Sequence, residues 1–404
     1  MTSKHLKSFL LFTIVLLLLI PPMVTNAEEN QKLQGKTHSK KQMQLTNYNT
    51  SQSFARFMFD SGLEFTYPDA VRGVYVTGHS AGGSRFEKLI NLIDNSELNT
   101  MVIDIKDDHG NLTYKPDKDS PYYDIAQNYI KDPKKMLKKL EEKGIYPIAR
   151  IVVFKDSVLA NKRPELSFKE NGKVWSNGKG DSFVSPFKKE VWEYNLAIAK
   201  MAVKLGFQEI QFDYVRFPEG FEKRDDELEY TLGDYKDSDL NNVKKRVQAV
   251  TDFVSYAKGE LKDFGVDVSV DIFGYAATVE ETPGIGQNFS KISSNVDVIS
   301  SMIYPSHWTP YFGIDFPDKE PYKMVNEYSK LENQVLSKLD TPPRSRPWIQ
   351  DFEAPWLYSG ATKQYGVKEV EAQIRALNEN GINEFLLWNA SNSYTEGVDY
   401  TPLN

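Results

Sequence analysis

Eight short runs rich in β-branched and aromatic residues, most of them separated by stretches of helical periodicity, limit what this chain can fold into. The runs are Arg72–Thr77, Thr100–Lys106, Tyr146–Phe154, Glu209–Phe217, Asp267–Tyr275, Val296–Tyr304, Arg346–Phe352 and Glu384–Asn389. Helices are expected at Arg85–Leu98, Asp132–Lys143, Lys188–Leu205, Asp239–Lys262, Tyr322–Leu339 and Val367–Asn380. Gly144, Gly206, Gly265 and Gly381 each stand just before a strand, where a left-handed helix end belongs. Parallel strands need a crossover, usually a helix, between them. The pattern therefore predicts an α/β protein built as a (β/α)8 TIM barrel, with an open doubly wound sheet as its rival.

Strand alternation then sorts side chains into outward and inward sets. In the fifth run Val268, Val270 and Ile272 share one face, leaving Asp267, Ser269, Asp271 and Phe273 on the other. In the fourth, Ile210, Phe212 and Tyr214 point out while Gln211, Asp213 and Val215 point in. In the second, Met101, Ile103 and Ile105 point out, and Val102, Asp104 and Lys106 point in. Three carboxylates on three strands thus aim at one axis. Burying them is costly without partners or partial solvation, so Asp104 could also serve only to neutralise Lys106 or Arg150. Asp213 and Asp271 lie late in adjacent strands, at the end where barrel chemistry occurs. Asp351 shares parity with Ile349 and is expected in the loop just past the seventh strand.

The ends and composition set further bounds. Lys4 and Lys7 precede an apolar run from Phe9 to Ile20, and Thr25-Asn26-Ala27 offers small residues for cleavage. Residues 1–27 read as a secretory signal, too short in its apolar part for an ordinary membrane span. Residues 28–65 read as a polar flexible tether and 66–404 as the barrel domain. The expected location is secreted or extracytoplasmic, possible surface attachment coming only through an uncleaved signal. The chain has no cysteine, which excludes disulfides, thiolate metal sites and a Cys nucleophile. A net charge of −7 offers no footprint for nucleic acid. No cofactor or metal is expected, since Asp107, Asp108 and His109 are loop neighbours that normally diverge; loop-bound calcium and the oligomeric state stay open.

One motif points elsewhere. Gly78-His79-Ser80-Ala81-Gly82 fits G-x-S-x-G between a strand and a helix, the setting of a serine esterase nucleophile. Against it, no earlier strands and no Gly-rich oxyanion segment precede the motif, and a triad would have to reach His307. The alternative is a glycine-rich first βα loop.

Several segments carry a resemblance: RGVYVTG (72–78), MVIDIKDDHG (101–110), YPIARIVVFKD (146–156), EIQFDYVRFPEG (209–220), VDIFGY (270–275), MIYPSHW (302–308), PWIQDF (347–352) and FLLWNAS (385–391). Together they resemble a family of uncharacterised bacterial TIM-barrel glycoside hydrolases, distant relatives of α-amylase-type enzymes, over residues 70 to 392. The resemblance implies Asp213 as nucleophile, Asp271 as acid/base where relatives carry Glu, and Asp351 as the third, substrate-holding carboxylate. It departs at Gln211, where an Arg is usual; Arg216 could supply that charge, and Glu219 is a reserve acid. Asp104, Arg216, Glu219, Tyr304, His307, Trp308 and Trp388 are the expected substrate-binding residues. The implied partner is a carbohydrate, an extracellular or cell-wall polysaccharide, cleaved with retention. Met302-Ile303-Tyr304 and Trp388 also resemble chitinase-type barrels, which use the substrate's acetamido group but end strand four in Glu. A sugar-binding barrel without activity is the remaining alternative.

Overall fold

The computed structural model describes residues 60–357 and 364–401; the apolar leader and nearly all of the tether lie outside them. Eight parallel strands form a closed ring. They are β1 (Arg72–Val76), β2 (Thr100–Lys106), β3 (Tyr146–Val152) and β4 (Glu209–Asp213). β5 (Asp267–Phe273), β6 (Val298–Met302), β7 (Trp348–Gln350) and β8 (Phe385–Trp388) complete it. Each strand is registered on the next, and β8 returns to β1 through pairs from Arg72–Phe385 to Val74–Leu387. Closure removes both sheet edges and excludes the doubly wound sheet. The thinnest seam is β6–β7, a single pair of Trp348 with Met302, reinforced where Arg344–Ser345 runs beside Val298–Ile299.

The crossovers hold α1 (Arg85–Asp94), α2 (Pro133–Glu142), α3 (Lys189–Leu205) and α4 (Asn242–Leu261). They continue with α5 (Phe289–Ser293), α6 (Pro321–Leu336) and α7 (Val367–Glu379). Local chemistry sets their limits: Asp132 accepts the Lys135 N–H and Pro133 opens α2, a capped start with a preset φ. Gly144 and Gly381 close α2 and α7 with φ of 67° and 75°, as their position before a strand predicts. Helix α5 was not legible, because five residues are too few to show a period.

Except for β2, the strands stop earlier than their apolar runs. The fourth run continues to Phe217, yet β4 ends at Asp213 and Tyr214 turns left-handed at φ 51°. Val215 and Phe217 are fully buried all the same. Apolarity reports burial, and here the loop is as buried as the strand.

Contacts between non-neighbouring strands must run through the barrel interior, and they identify the inward set. Gln211 on β4 donates to Ser300 on β6, and Trp348 on β7 donates to Asp271 on β5 at 2.7 Å. The alternation in β4 and β5 therefore holds through Asp213 and Asp271. Two expectations are corrected. A bulge between Asp104 and Lys106 inserts one residue into β2, so Lys106 leaves the interior. It pairs with Asp156 at 2.6 Å and donates to Asn195 of α3 at 2.9 Å. Tyr214, expected outside, lies beyond the strand end, where alternation no longer applies.

At the amino ends of the strands the interior is closed by charge. Arg346 bridges Glu209 at 2.7 Å and Glu384 at 2.8 Å, and Arg344 meets Asp267 at 2.9 Å. After β8 the described chain forms a strap. Asn392 accepts the N–H and hydroxyl of Thr77, each at 3.0 Å, and donates to the Tyr75 carbonyl at 2.9 Å. The Tyr394 hydroxyl donates to that same carbonyl. Among the described residues, the barrel's compact unit takes in 60–65 and runs on from 70, which leaves Thr66–Asp69 outside it. Phe65, placed by sequence at the end of the tether, is 4 % exposed.

Candidate active site

A cavity of about 900 Å3 opens at the carboxyl ends of the strands, at the large end of the range for small-molecule sites. Its floor carries Asp213, Asp271 and Arg150; its walls come from the segments after β4, β5 and β6. Asp213 and Asp271, the inward carboxylates late in β4 and β5, therefore reach it. Phe212 is registered on Val270, so the next inward positions, Asp213 and Asp271, lie side by side at the same level.

Arg150 organises the floor. Its guanidinium pairs with Asp213 at 2.5 Å, Asp104 at 2.6 Å and Asp108 at 2.9 Å. The bond to Asp213 is double, since Nε also donates to the same oxygen at 3.0 Å. A planar, permanently charged fork suits such bridging, where a point charge would not. The other Asp213 oxygen accepts the Tyr214 N–H at 2.5 Å, made possible by the left-handed turn at Tyr214. Strained backbone of this kind collects at functional sites. Burial pushes Asp104 up to about 7 against the pull of Arg150, and Tyr75 donates to it at 2.6 Å. Burial also acts on Asp108, but Arg150 and Lys155 hold its carboxyl below the usual range.

Asp271 is set up differently. Burial and then the neighbouring Asp213 push its carboxyl well above the ordinary carboxylate range, with the Trp348 hydrogen bond and Arg150 opposing. The pair thus has one member bound to a guanidinium and one that favours its protonated form. Environments that separate two carboxyls in this way divide the roles of acid and nucleophile.

The rim holds five of the residues expected to touch substrate beside Trp388: Arg216, Glu219, Tyr304, His307 and Trp308 all line the cavity. Arg216 does not supply charge to Asp213. It donates to Glu219 at 3.1 Å and stacks between Tyr214 and Phe273, 4.7 Å from each ring, so Arg150 is the cation at Asp213. Burial lowers His307, which favours a neutral imidazole. Tyr75 covers one face of Trp388, with ring centroids 4.1 Å apart.

Two expected residues stand behind the wall. Asp104 is engaged by Arg150 and Tyr75 and does not line the cavity. Asp351 is buried and accepts the Thr395 N–H at 2.9 Å and hydroxyl at 2.6 Å, securing the strap. Ser80 also lies away from the cavity. Its motif forms a short helix, Gly78–Gly82, on which Thr77 caps the Ser80 N–H. The glycines serve packing: a Cβ on Gly82 would sit 1.8 Å from the Tyr129 carbonyl, and one on Gly78 would sit 2.7 Å from Thr113. The esterase pattern is thus accounted for by close backbone approach.

Sequence reasoning passed over Arg150 as a site residue, and Trp348, Tyr75 and Asp108 with it. A signal existed for Arg150. An arginine in the middle of YPIARIVVF cannot be buried without carboxylates, and three inward candidates were at hand.

Comparisons with known proteins agree with this architecture. A family model described as "Putative glycosyl hydrolase domain" matches residues 73–394. Among solved structures, a hypothetical protein from Ruminiclostridium thermocellum is 32% identical, covering 49% of this chain and 96% of its own, with a TM-score of 0.42. The PgaB (BpsB) glycoside hydrolase domain from Bordetella bronchiseptica is 15% identical, covers 79% of this chain and 94% of its own, and gives a TM-score of 0.55. A β-galactosidase from the psychrophilic Marinomonas ef1 is 11% identical, covering 78% and 53%, with a TM-score of 0.55. The last two resemblances show the fold alone. No curated protein matches. Since the family model spans nearly the whole barrel, the chain belongs to this glycosyl hydrolase family, and it is a glycosidase with a TIM-barrel fold.

Proposed function

We propose that the protein cleaves O-glycosidic bonds of a polysaccharide outside the cytoplasm by a retaining mechanism, with Asp213 as nucleophile and Asp271 as acid/base. The observation that carries this reading is the adjacent pair on the cavity floor: Asp213 held by Arg150, Asp271 pushed toward its protonated form. Neighbouring strands lie about 4.8 Å apart. Side chains at one level on them suit the separation of roughly 5–5.5 Å that retention uses, and leave too little room for the water of inversion.

In this mechanism an Asp213 oxygen attacks the anomeric carbon while Asp271 protonates the departing glycosidic oxygen. A covalent glycosyl-enzyme results. Asp271 then takes a proton from water, which attacks the same carbon and releases Asp213. Arg150 fixes Asp213 and offsets its charge. Tyr304, Trp308 and the open part of Trp388 supply surfaces for sugar rings, and His307 and Glu219 supply polar contacts. Asp104 and Asp351 act from behind the wall, through Arg150 and through the strap. The extracytoplasmic setting rests on the N-terminal leader.

The test is a screen of α- and β-linked glycans, amino-sugar polymers included, followed by Asp213→Asn on the responsive substrate. Turnover should fall by several orders of magnitude with the fold retained, and a 2-fluoro glycoside should label Asp213. Unchanged turnover in the variant removes Asp213 as nucleophile; inverted product configuration removes retention.

A further inference from the structure

Trp348 is an unexpected neighbour for a general acid. It comes from β7, two strands away from β5, and crosses the interior to reach Asp271, its Nε1–H donating to Oδ1 at 2.7 Å. The indole is 1 % exposed. It has little freedom to turn. Trp388 meets it nearly edge-on at 5.5 Å and 87°, and Tyr75 does the same at 6.5 Å and 80°. Its backbone is also fixed, paired to both Met302 and Leu386. An indole N–H only donates, so the carboxyl oxygen it meets must be an acceptor.

We propose that Trp348 is the positioning residue for Asp271: by occupying Oδ1 it confines the acidic proton to Oδ2, the oxygen left free to deliver it. This rests on the reading of Asp271 as acid/base and adds which oxygen works and what selects it. In the first step the Oδ2–H bond breaks, the proton goes to the glycosidic oxygen, and the electrons of the C1–O bond leave with that oxygen. Asp271 is left negative, and the indole N–H, now bonded to a full carboxylate, strengthens at that moment. A hydrogen bond gained in charge as the reaction proceeds favours the transition state over the ground state.

The groups that face Asp271 are Asp213 and Glu209 from β4, Arg150 from β3 and Trp348 from β7, with Tyr304 beyond β6. Among them Trp348 is the neutral group whose N–H is bonded to Asp271. Its loss should move the alkaline limb of kcat/KM upward by about 1 pH unit, since hydrogen bonds to charged groups are worth about that much.

Two measurements test this. The first compares Trp348→Phe with Asp271→Asn on a 2,4-dinitrophenyl glycoside, whose leaving group needs no proton, and on a 4-methoxyphenyl glycoside of the same sugar, whose leaving group does. In kcat/KM, which reports the first step alone, the Phe variant should lose about tenfold on the poor leaving group, almost nothing on the good one, and show the raised limb. Equal losses on both substrates with an unmoved limb overturn the proposal. If Asp271→Asn itself fails to discriminate between the leaving groups, the assignment of Asp271 as acid is what fails. The second measurement needs neither a variant nor a substrate. In the full-length wild-type protein the 15N-indole resonance of Trp348 should titrate with the midpoint of the Asp271 carboxyl carbon, moving downfield as pH rises. A resonance flat across that midpoint refutes the coupling.

Discussion

Arg150→Met is the perturbation with the most to say about how this barrel tolerates its charged floor. The guanidinium is fully buried and pairs with three carboxylates at 2.5, 2.6 and 2.9 Å. Methionine keeps most of the volume and removes all of the charge. Asp108 retains Lys155 at 3.4 Å, but Asp104 and Asp213 lose their cation. Breaking a buried pair costs about 3–5 kcal/mol because the remaining charge is stranded. Domains hold about 5–15 kcal/mol in all, so the variant should fold with a much reduced margin. The loss must depend on pH. Asp104 is already raised to about 7, well above its unfolded value, so the stability linked to its proton is complete below the ordinary carboxylate range and disappears as pH rises through 7. Without Arg150 that midpoint climbs further, each unit adding about 1.4 kcal/mol of penalty at high pH. Urea melts at pH 5 and pH 8 should therefore show a small gap from wild type at pH 5 and a gap of several kcal/mol at pH 8. Arg150→Lys should recover only part, since a point charge cannot serve three acceptors. A gap that is the same at both pH values, or under about 1 kcal/mol at pH 8, refutes the reasoning.

Other outcomes follow from the same geometry. Activity should fall on the alkaline side as Asp271 loses its proton, at a pH above the ordinary carboxylate range because burial and Asp213 raise it; a kcat/KM profile checks this. Arg346→Met, at the opposite end of the barrel, should cost roughly 3–5 kcal/mol in urea melts by stranding Glu209. Ser80→Ala should leave glycan hydrolysis and stability within about 0.5 kcal/mol of wild type. Gly82→Ala should destabilise by about 1–3 kcal/mol, because the 1.8 Å clash is with backbone and cannot be relieved by a rotamer.

Much of the barrel was legible because the sequence alternates at two scales. Val268, Val270 and Ile272 marked the outer face of β5, and Ile210 and Phe212 that of β4; that parity alone carried Asp271 and Asp213 into the interior. The same rule misplaced Lys106, since one bulged residue reverses everything after it, and bulges leave no mark in an apolar run. It misplaced Tyr214 because the left-handed turn there follows a strand and precedes a loop of equal apolarity. Asp351 and Asp104 show another limit. Alternation gave Asp104 a direction but not a depth, and it gave Asp351, just past the end of β7, neither; neither residue lines the cavity. Trp348 was hidden for a related reason: a buried tryptophan is expected in any core, and its role depends on a partner 77 positions away in sequence.

The strap after β8 has a consequence for the order of events during synthesis. Tyr75 on the first strand and Thr77 just after it are bonded to Asn392 and Tyr394, more than three hundred residues later. The first and last strands also share the β1–β8 seam. A ribosome-bound chain lacks these residues until β8 and the strap have been made, so the ring cannot close before they emerge. Until then β1 presents an open edge to any machinery that handles unfolded polypeptide, and a chain cut short before Phe385 keeps that edge for good.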